Sequence, residues 1–284
     1  MPDAFAHCEA LVRAADRERF LTALFAPANR RNALFALYAF NVEIARVRDA
    51  VREPLAGEIR LQWWSDALTG AARGDAEANP VMAALKATVV RFGLALDALQ
   101  ALIGARRFDL YDEPMATMAE LEAYAEGASA GLIGLAGSIL AAGEVAEGGA
   151  VVRHAGIAHA IAGLLAALPI HAARGQVYVP RDILQRHGAE PADLIGARAT
   201  PGVRAALAEL RAAARGHLAA ARSRFDAVPP AMLPALLPVA LVPATLARLE
   251  RADLEPFVPH EIPMWRRQWL IWRAARRPRR IFGS

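Results

Sequence analysis

Cysteine and lysine are almost missing from this chain. Cys8 is the single cysteine in 284 residues, which excludes an internal disulfide and any multi-cysteine metal site. Lys86 is the single lysine, so arginine supplies nearly all the positive charge. A GC-rich coding background explains this more simply than a special need for guanidinium groups. Acidic residues fail in two stretches. None lies between Gly148 and Arg181, and none follows Glu261, where Arg266, Arg267, Arg273, Arg276, Arg277, Arg279 and Arg280 crowd together. A tail of that sign suits an acidic surface, whether lipid, protein or nucleic acid. The net charge is only +4, although the sequence pI is about 9.8. Met1 to Glu9 carries Asp3, His7 and Glu9 and no apolar stretch, which reads as no signal peptide and a cytoplasmic protein. Alternating runs of Val, Ile and aromatic residues are scarce as well, which argues against strands.

What is present is Ala and Leu, whose side chains lose little freedom in a helix. The expectation is one all-α domain over 1–284 with no internal repeat or linker. Helical patterns run over 5–24, from about 30 to 52, over 58–69, 80–92 and 96–105, and from the Thr117/Glu120 capping box to about Ala142. Leu34, Leu37, Ile44, Val47 and Val51 mark one face of the second. Further helices are expected from Val151 to about Leu168, where Pro169 must end or kink the chain, and over 182–187. Val177 to Pro180 reads as extended. Thr200 and Pro201 open a helix to about Val228, and a last one surrounds Pro263 to Ala275. No charge falls between Val228 and Ala247, but five prolines interrupt that run. It reads as a core helix rather than a membrane span.

Two segments carry a resemblance. Leu24-Phe-Ala-Pro-Ala-Asn-Arg-Arg-Asn-Ala-Leu-Phe-Ala-Leu-Tyr-Ala-Phe40 resembles the first signature of the squalene/phytoene synthase family, and Arg174-Gly-Gln-Val-Tyr-Val-Pro180 resembles its second. The resemblance implies the all-α isoprenoid (terpenoid) synthase fold, helices around a central cavity. It also implies two Asp-rich clusters that hold Mg²⁺ against a substrate diphosphate, since the hard cation wants oxygen ligands. This sequence departs from both clusters. The first falls on Ala45, Arg46 and Asp49, and the second on Ala167 and His171. The expectation is therefore no catalytic residue, no metal and no cofactor, with Mg²⁺ required only if the usual prenyl transfer survives.

Tyr38, Glu43, Ala45, Arg46, Asp49, Ala167, His171, Arg174 and Tyr178 are the candidate residues of a degenerate pocket. Asp49 and Glu53, four apart, could share a cation, but a solvated helix-face pair is the commoner arrangement. Glu43 reads as the partner of an arginine in preference to a base. Arg46 has two readings of equal weight: a partner for Glu43 or Asp49, or part of a positive pocket with His171 and Arg174. His154, His159 and His171 read as polar lining or satisfied core groups, because no carboxylate accompanies them. Trp63 and Trp64 read as packing. Trp265, Trp269 and Trp272 share a helix face flanked by Arg266, Arg267 and Arg273. Packing onto the domain body is favoured there over contact with an anionic membrane or an acidic partner, and nucleic acid is not expected.

Within the family, Ala39-Phe-Asn-Val-Glu-Ile-Ala-Arg-Val-Arg-Asp49, Leu61-Gln-Trp-Trp64 and Leu168-Pro-Ile-His171 are similar to the branch of mitochondrial complex I (NADH dehydrogenase) assembly factors and their bacterial relatives. That resemblance implies a non-catalytic protein that helps build a membrane respiratory complex. It implies, besides, a respiratory-complex subunit or assembly factor as partner, an isoprenoid or other lipid as ligand, and a cytoplasmic location, peripheral at the inner membrane. The alternative is an active head-to-head prenyltransferase using farnesyl or geranylgeranyl diphosphate.

Overall fold

The computed structural model describes residues 2–141 and 148–283, so the end of the helix expected to reach Ala142 lies outside the described residues. Among them there is no strand. In chain order the helices begin with α1 (Pro2–Ala15), α2 (Arg17–Ala23), α3 (Ala28–Ala45), α4 (Pro54–Thr69), α5 (Pro80–Phe92) and α6 (Leu96–Arg107). Then come α7 (Met118–Ala125), α8 (Gly131–Leu140), α9 (Gly149–Ala166), α10 (Leu168–Ala173) and α11 (Arg181–Arg186). The series closes with α12 (Pro191–Ile195), α13 (Pro201–Ser223), α14 (Leu233–Leu236), α15 (Val242–Leu249) and α16 (Met264–Arg276). The contacts divide the chain into two compact units, each assembled from three separate segments.

The first unit comprises 1–110, 131–149 and 226–238, and α3 runs through it. Every residue of α3 from Ala33 to Val42 is buried, with α1, α2, α5, α6 and α8 packed around it. Phe35 stacks on Phe20 of α2 with ring centroids 5.6 Å apart, and Phe40 meets the edge of Trp64 at 5.5 Å. Ser65 and Gln100 tie α4 to α6. The Ser65 hydroxyl donates to Gln100 Oε1 at 2.7 Å, and the Gln100 amide donates back to the Ser65 carbonyl at 3.1 Å. The helix expected over 5–24 is two helices, because Asp16 stops α1 and caps α2 by accepting from Arg19 N–H.

The second unit comprises 111–130, 150–225 and 239–284. Its long element is α13, capped by Thr200 at one end and packed on α11 and α15. Helix α9 ends at Ala166 and α10 starts at Leu168. Pro169 supplies no N–H and its ring crowds the carbonyl four residues back, so the helix cannot continue. One turn of wider pitch, Glu126–Ala130, follows α7. There α9 comes so close that Gly156 has no room for a side chain; a Cβ would sit 2.5 Å from Ala130 N and Cβ.

The charge-free run is helical without a break from Pro230 to Leu249, but its pitch is not uniform: tighter turns at 230–232 and 237–241 alternate with α-helix at Leu233–Leu236 and Val242–Leu249, where prolines remove N–H donors. By length and composition alone, Gly149–Ala166 and Pro230–Leu249 could each cross a membrane, and about half of each is buried within the protein (50% and 56%).

The glycines of α9 give a paired test. Gly156→Ala forces the backbone of the 126–130 turn to move and should lower unfolding stability by about 1–3 kcal/mol. Gly163→Ala, at an exposed position with nothing within 4 Å, should raise it by about 0.5–1 kcal/mol through helix propensity. Urea titration of the two variants checks both signs.

Candidate functional site

In the first unit the candidate site forms where α3 leaves the core. The helix stops at Ala45, with Arg46 as its C-cap, and Arg48–Ala50 is a single tighter turn. This overturns the expected helix to residue 52. Asp49 lies on that turn and Glu53 in extended chain before α4 (φ −108°, ψ 134°), so the two carboxylates do not share a helix face. Glu43, Arg46, Val47 and Ala50 line a cavity of about 250 Å³ whose other wall is Arg60, Trp63, Trp64 and Asn79. Among the described residues Arg46 pairs with neither Glu43 nor Asp49. Of its two readings, the local ion pair is thus not found. Arg60 likewise has no ion-pair partner among them. The cavity holds two guanidiniums against one carboxylate, so it favours an anion.

Tyr38 does not line this cavity. It is buried deeper in α3, beneath the Arg19 guanidinium at 5.9 Å from its ring, and burial pushes its hydroxyl pKa up. Ala45 is half-buried and brings no ligand atom. Trp63 and Trp64 both pack and line: their rings meet edge-on at 5.1 Å, and Trp63 stays half-buried at the cavity wall. Arg60 and Trp63 were missed as cavity groups; their i, i+3, i+4 spacing with Trp64 on one helix face was the available signal.

The second signature lies in the second unit. Ala167 is the joint between α9 and α10 (φ −89°, ψ 3°), and Gly175 takes a left-handed φ of +72° just past the end of α10. That reversal lets Gln176 N–H donate to the His171 carbonyl at 2.9 Å. His171 lies against Tyr178 with ring centroids 4.5 Å apart, and Tyr124 lies 5.9 Å from Tyr178 on another side. Leu121, Leu164, Leu165 and Leu210 close over the His171–Tyr178 pair and leave about 20 Å³, room for about one water. Arg174 is exposed at the C-cap.

Residues 12–273 match the sequence model of the squalene/phytoene synthase family. The chain belongs to that family. Assembly factor 6 of NADH dehydrogenase (ubiquinone) complex I from Rattus norvegicus is 32% identical over 259 residues, covering 91% of this chain and 78% of that protein. The Homo sapiens protein of the same description is 32% identical over 253 residues, covering 89% and 76%. Among solved structures, squalene synthase HpnC from Alicyclobacillus acidocaldarius superposes with a TM-score of 0.74 at 24% identity, over 91% of this chain and 96% of that one. The fold is the all-α isoprenoid synthase fold.

The magnesium clusters implied by membership of the squalene/phytoene synthase family do not fit these residues. The first position set supplies one carboxylate, on a turn, beside the exposed guanidinium of Arg46. The second supplies an alanine and a histidine packed on tyrosine. Among the described residues no group of three or more His, Cys, Asp or Glu is placed to hold a metal ion. The remaining histidines are used structurally. His159 Nδ1 contacts the Ser129 hydroxyl at 3.2 Å. His154 Nδ1 lies 2.9 Å from His217 Nδ1, and His217 Nε2 lies 3.2 Å from Glu122 Oε1. That chain is satisfied when His217 Nε2–H donates to Glu122 and His154 Nδ1–H donates to His217, linking α9, α13 and α7.

The C-terminal helix corrects a further expectation. Helix α16 buries Ile271 and Ala274, while Trp265, Trp269 and Trp272 stay 69%, 47% and 49% exposed. The tryptophans do not pack onto the body. Arg273 lies over Trp269 at 4.9 Å and Arg276 over Trp272 at 5.3 Å. Arg266 is exposed, and Arg267 is held by the Ile262 carbonyl at 2.8 Å.

The His154 contact predicts a pH dependence. Burial, then the facing His217, Arg153 and Arg224, lowers the His154 pKa from 6.5 against a smaller pull from Glu122. A depressed histidine pKa means the unfolded chain takes up the proton first, so stability is full above about 6.5 and is lost as pH falls below it. His154→Asn should shrink the loss of melting temperature between about pH 7.5 and about pH 5.5; an unchanged slope would refute the assignment.

Proposed function

We propose that this chain is a non-catalytic squalene/phytoene synthase-like protein that assists assembly of respiratory complex I. The observation that carries the reading is the first signature. Alanine, arginine and a lone aspartate stand where a magnesium–diphosphate site needs a carboxylate cluster, and the assembly factors of complex I are 32% identical over about nine tenths of the chain. In this reading the protein works without Mg²⁺. The cavity beside Arg46, Arg60 and Trp63 keeps the ancestral preference for an anion on an apolar tail, and its ligand is an isoprenoid or other anionic lipid bound directly by guanidinium. The partner is a membrane subunit of the complex or another assembly factor.

The C-terminal helix supports work at a membrane surface. Exposed indoles beneath arginines, with no acidic residue after Glu261, fit the headgroup layer of an anionic bilayer, where aromatic rings sit well and each cation adds about 1 kcal/mol. The location is cytoplasmic and peripheral at the inner membrane.

Deletion of the gene should lower both assembled complex I and NADH:quinone activity of the membranes; normal activity would remove the assembly reading. Calorimetric titration with farnesyl thiodiphosphate separates the alternative. Tight binding that requires Mg²⁺ would restore an active prenyltransferase, whereas binding indifferent to Mg²⁺ and lost in Arg46→Gln fits the cavity described. Replacing Trp265, Trp269 and Trp272 together by alanine should weaken cosedimentation with anionic vesicles on the order of tenfold or more, with a smaller change in melting temperature than a core tryptophan would give, because the three are 47–69% exposed.

A further inference from the structure

The second unit contains another cavity, which shares Leu165 and Leu168 with the small one at His171 and Tyr178 but is lined by no residue of either signature. It measures about 180 Å³ and is lined by Leu165, Leu168, Leu207, Leu249 and Leu254 together with Arg204, Arg211, Glu250 and Arg251. Most of its cations are committed within the chain. Arg204 donates to the Leu254 carbonyl at 3.0 Å and pairs with Glu255 at 2.5 Å. Arg251 is held by Asp253 at 2.7–3.0 Å. Glu250, the carboxylate of the cavity, is taken by the fork of nearby Arg215 at 2.5 and 2.6 Å.

Arg211 is left over. Its guanidinium is half-buried on α13 and makes no hydrogen bond or ion pair with any described residue. Glu250 attracts it only at longer range, and burial outweighs that attraction and lowers its pKa. Five N–H donors on a permanently charged group, half removed from water among leucines, call for an anionic acceptor. Its volume is about nine times that of the one-water cavity at His171 and Tyr178, enough for a phosphate or carboxylate head with the start of an apolar chain.

We propose that this cavity is a second binding site, for a small amphiphilic anion: a phosphate monoester or carboxylate whose head is bound by Arg211 and whose chain lies on Leu165, Leu168 and Leu207. The site shares no residue with the Arg46 cavity and does not depend on that reading. The probe is hexyl phosphate, followed by calorimetry and by the Arg211 Nε–H signal in ¹⁵N NMR of the full chain. Hexyl phosphate should shift the Arg211 signal and bind at least about tenfold tighter than inorganic phosphate, and Arg211→Gln should weaken it by about tenfold or more. The Arg211 signal should still shift in Arg46→Gln, which separates this site from the other cavity. Vesicles of phosphatidylcholine with lysophosphatidate identify the source: a shift with them too marks a lipid headgroup, and a shift with hexyl phosphate alone marks a free metabolite. No shift of Arg211 in the wild-type protein, equal affinity for inorganic phosphate, or full binding by a folded Arg211→Gln variant would overturn the proposal. The wild-type signal decides the matter even if the variant does not fold.

Discussion

A helix surrounded on all sides has only its ends for polar chemistry. From Ala33 to Val42 the third helix presents nothing to solvent, and an unpaired charge placed there would meet a desolvation cost of several kcal/mol. The apolar sequence of that stretch is therefore a condition of the first unit's packing, and the first charged groups appear where the helix emerges. Glu43, Arg46 and the turn carrying Asp49 are placed by that emergence. Asn41 is the exception: it is buried, and its Oδ1 has no partner among the described residues, at a cost of about 1–3 kcal/mol.

The same logic governs what arginine does across the molecule. With one lysine in the chain, the cationic tasks fall to a planar group that is always charged. Some guanidiniums are spent on forks to carboxylates, as at Glu250. Others lie over tryptophan rings in the C-terminal helix. A few, Arg46 and Arg211 among them, face cavities with no counter-charge in contact. A carboxylate–magnesium site reads the diphosphate through a metal. A guanidinium reads an anion directly, with no metal between them.

Much of the fold was legible in the sequence because its signals are local. Pro80 and Gly93 bound their helix to the residue, Thr117 and Thr200 cap as their spacing demands, and the Ala/Leu background made helix the only regular choice. Where the sequence misled, the matter was an element's end, set by tertiary structure after α3 and locally, by the Asp16 cap, between α1 and α2. Nothing in Ile44-Ala-Arg-Val-Arg-Asp49 forbids a helix, yet the chain turns at Arg46. In the charge-free run the five prolines leave the stretch helical but tighten its pitch at 230–232 and 237–241. Of the candidate site, the positions of the lost carboxylates could be read by motif alone. The aromatic wall at Trp63 and the absence of an Arg46–Glu43 ion pair among the described residues could not, because they depend on which helices meet. The outward turn of the C-terminal tryptophans was equally hidden, since periodicity groups side chains on a face without saying what that face meets.

Cys8 adds something different. It is fully buried on α1, which packs on α3, and burial pushes its thiol pKa up to about 12. The thiolate that reacts with electrophiles is thus almost unpopulated near neutral pH. Any modification of Cys8 by a thiol reagent must pass through an opened state that exposes α1, so its rate counts those openings. The chain carries a built-in clock for the loosening of its first helix.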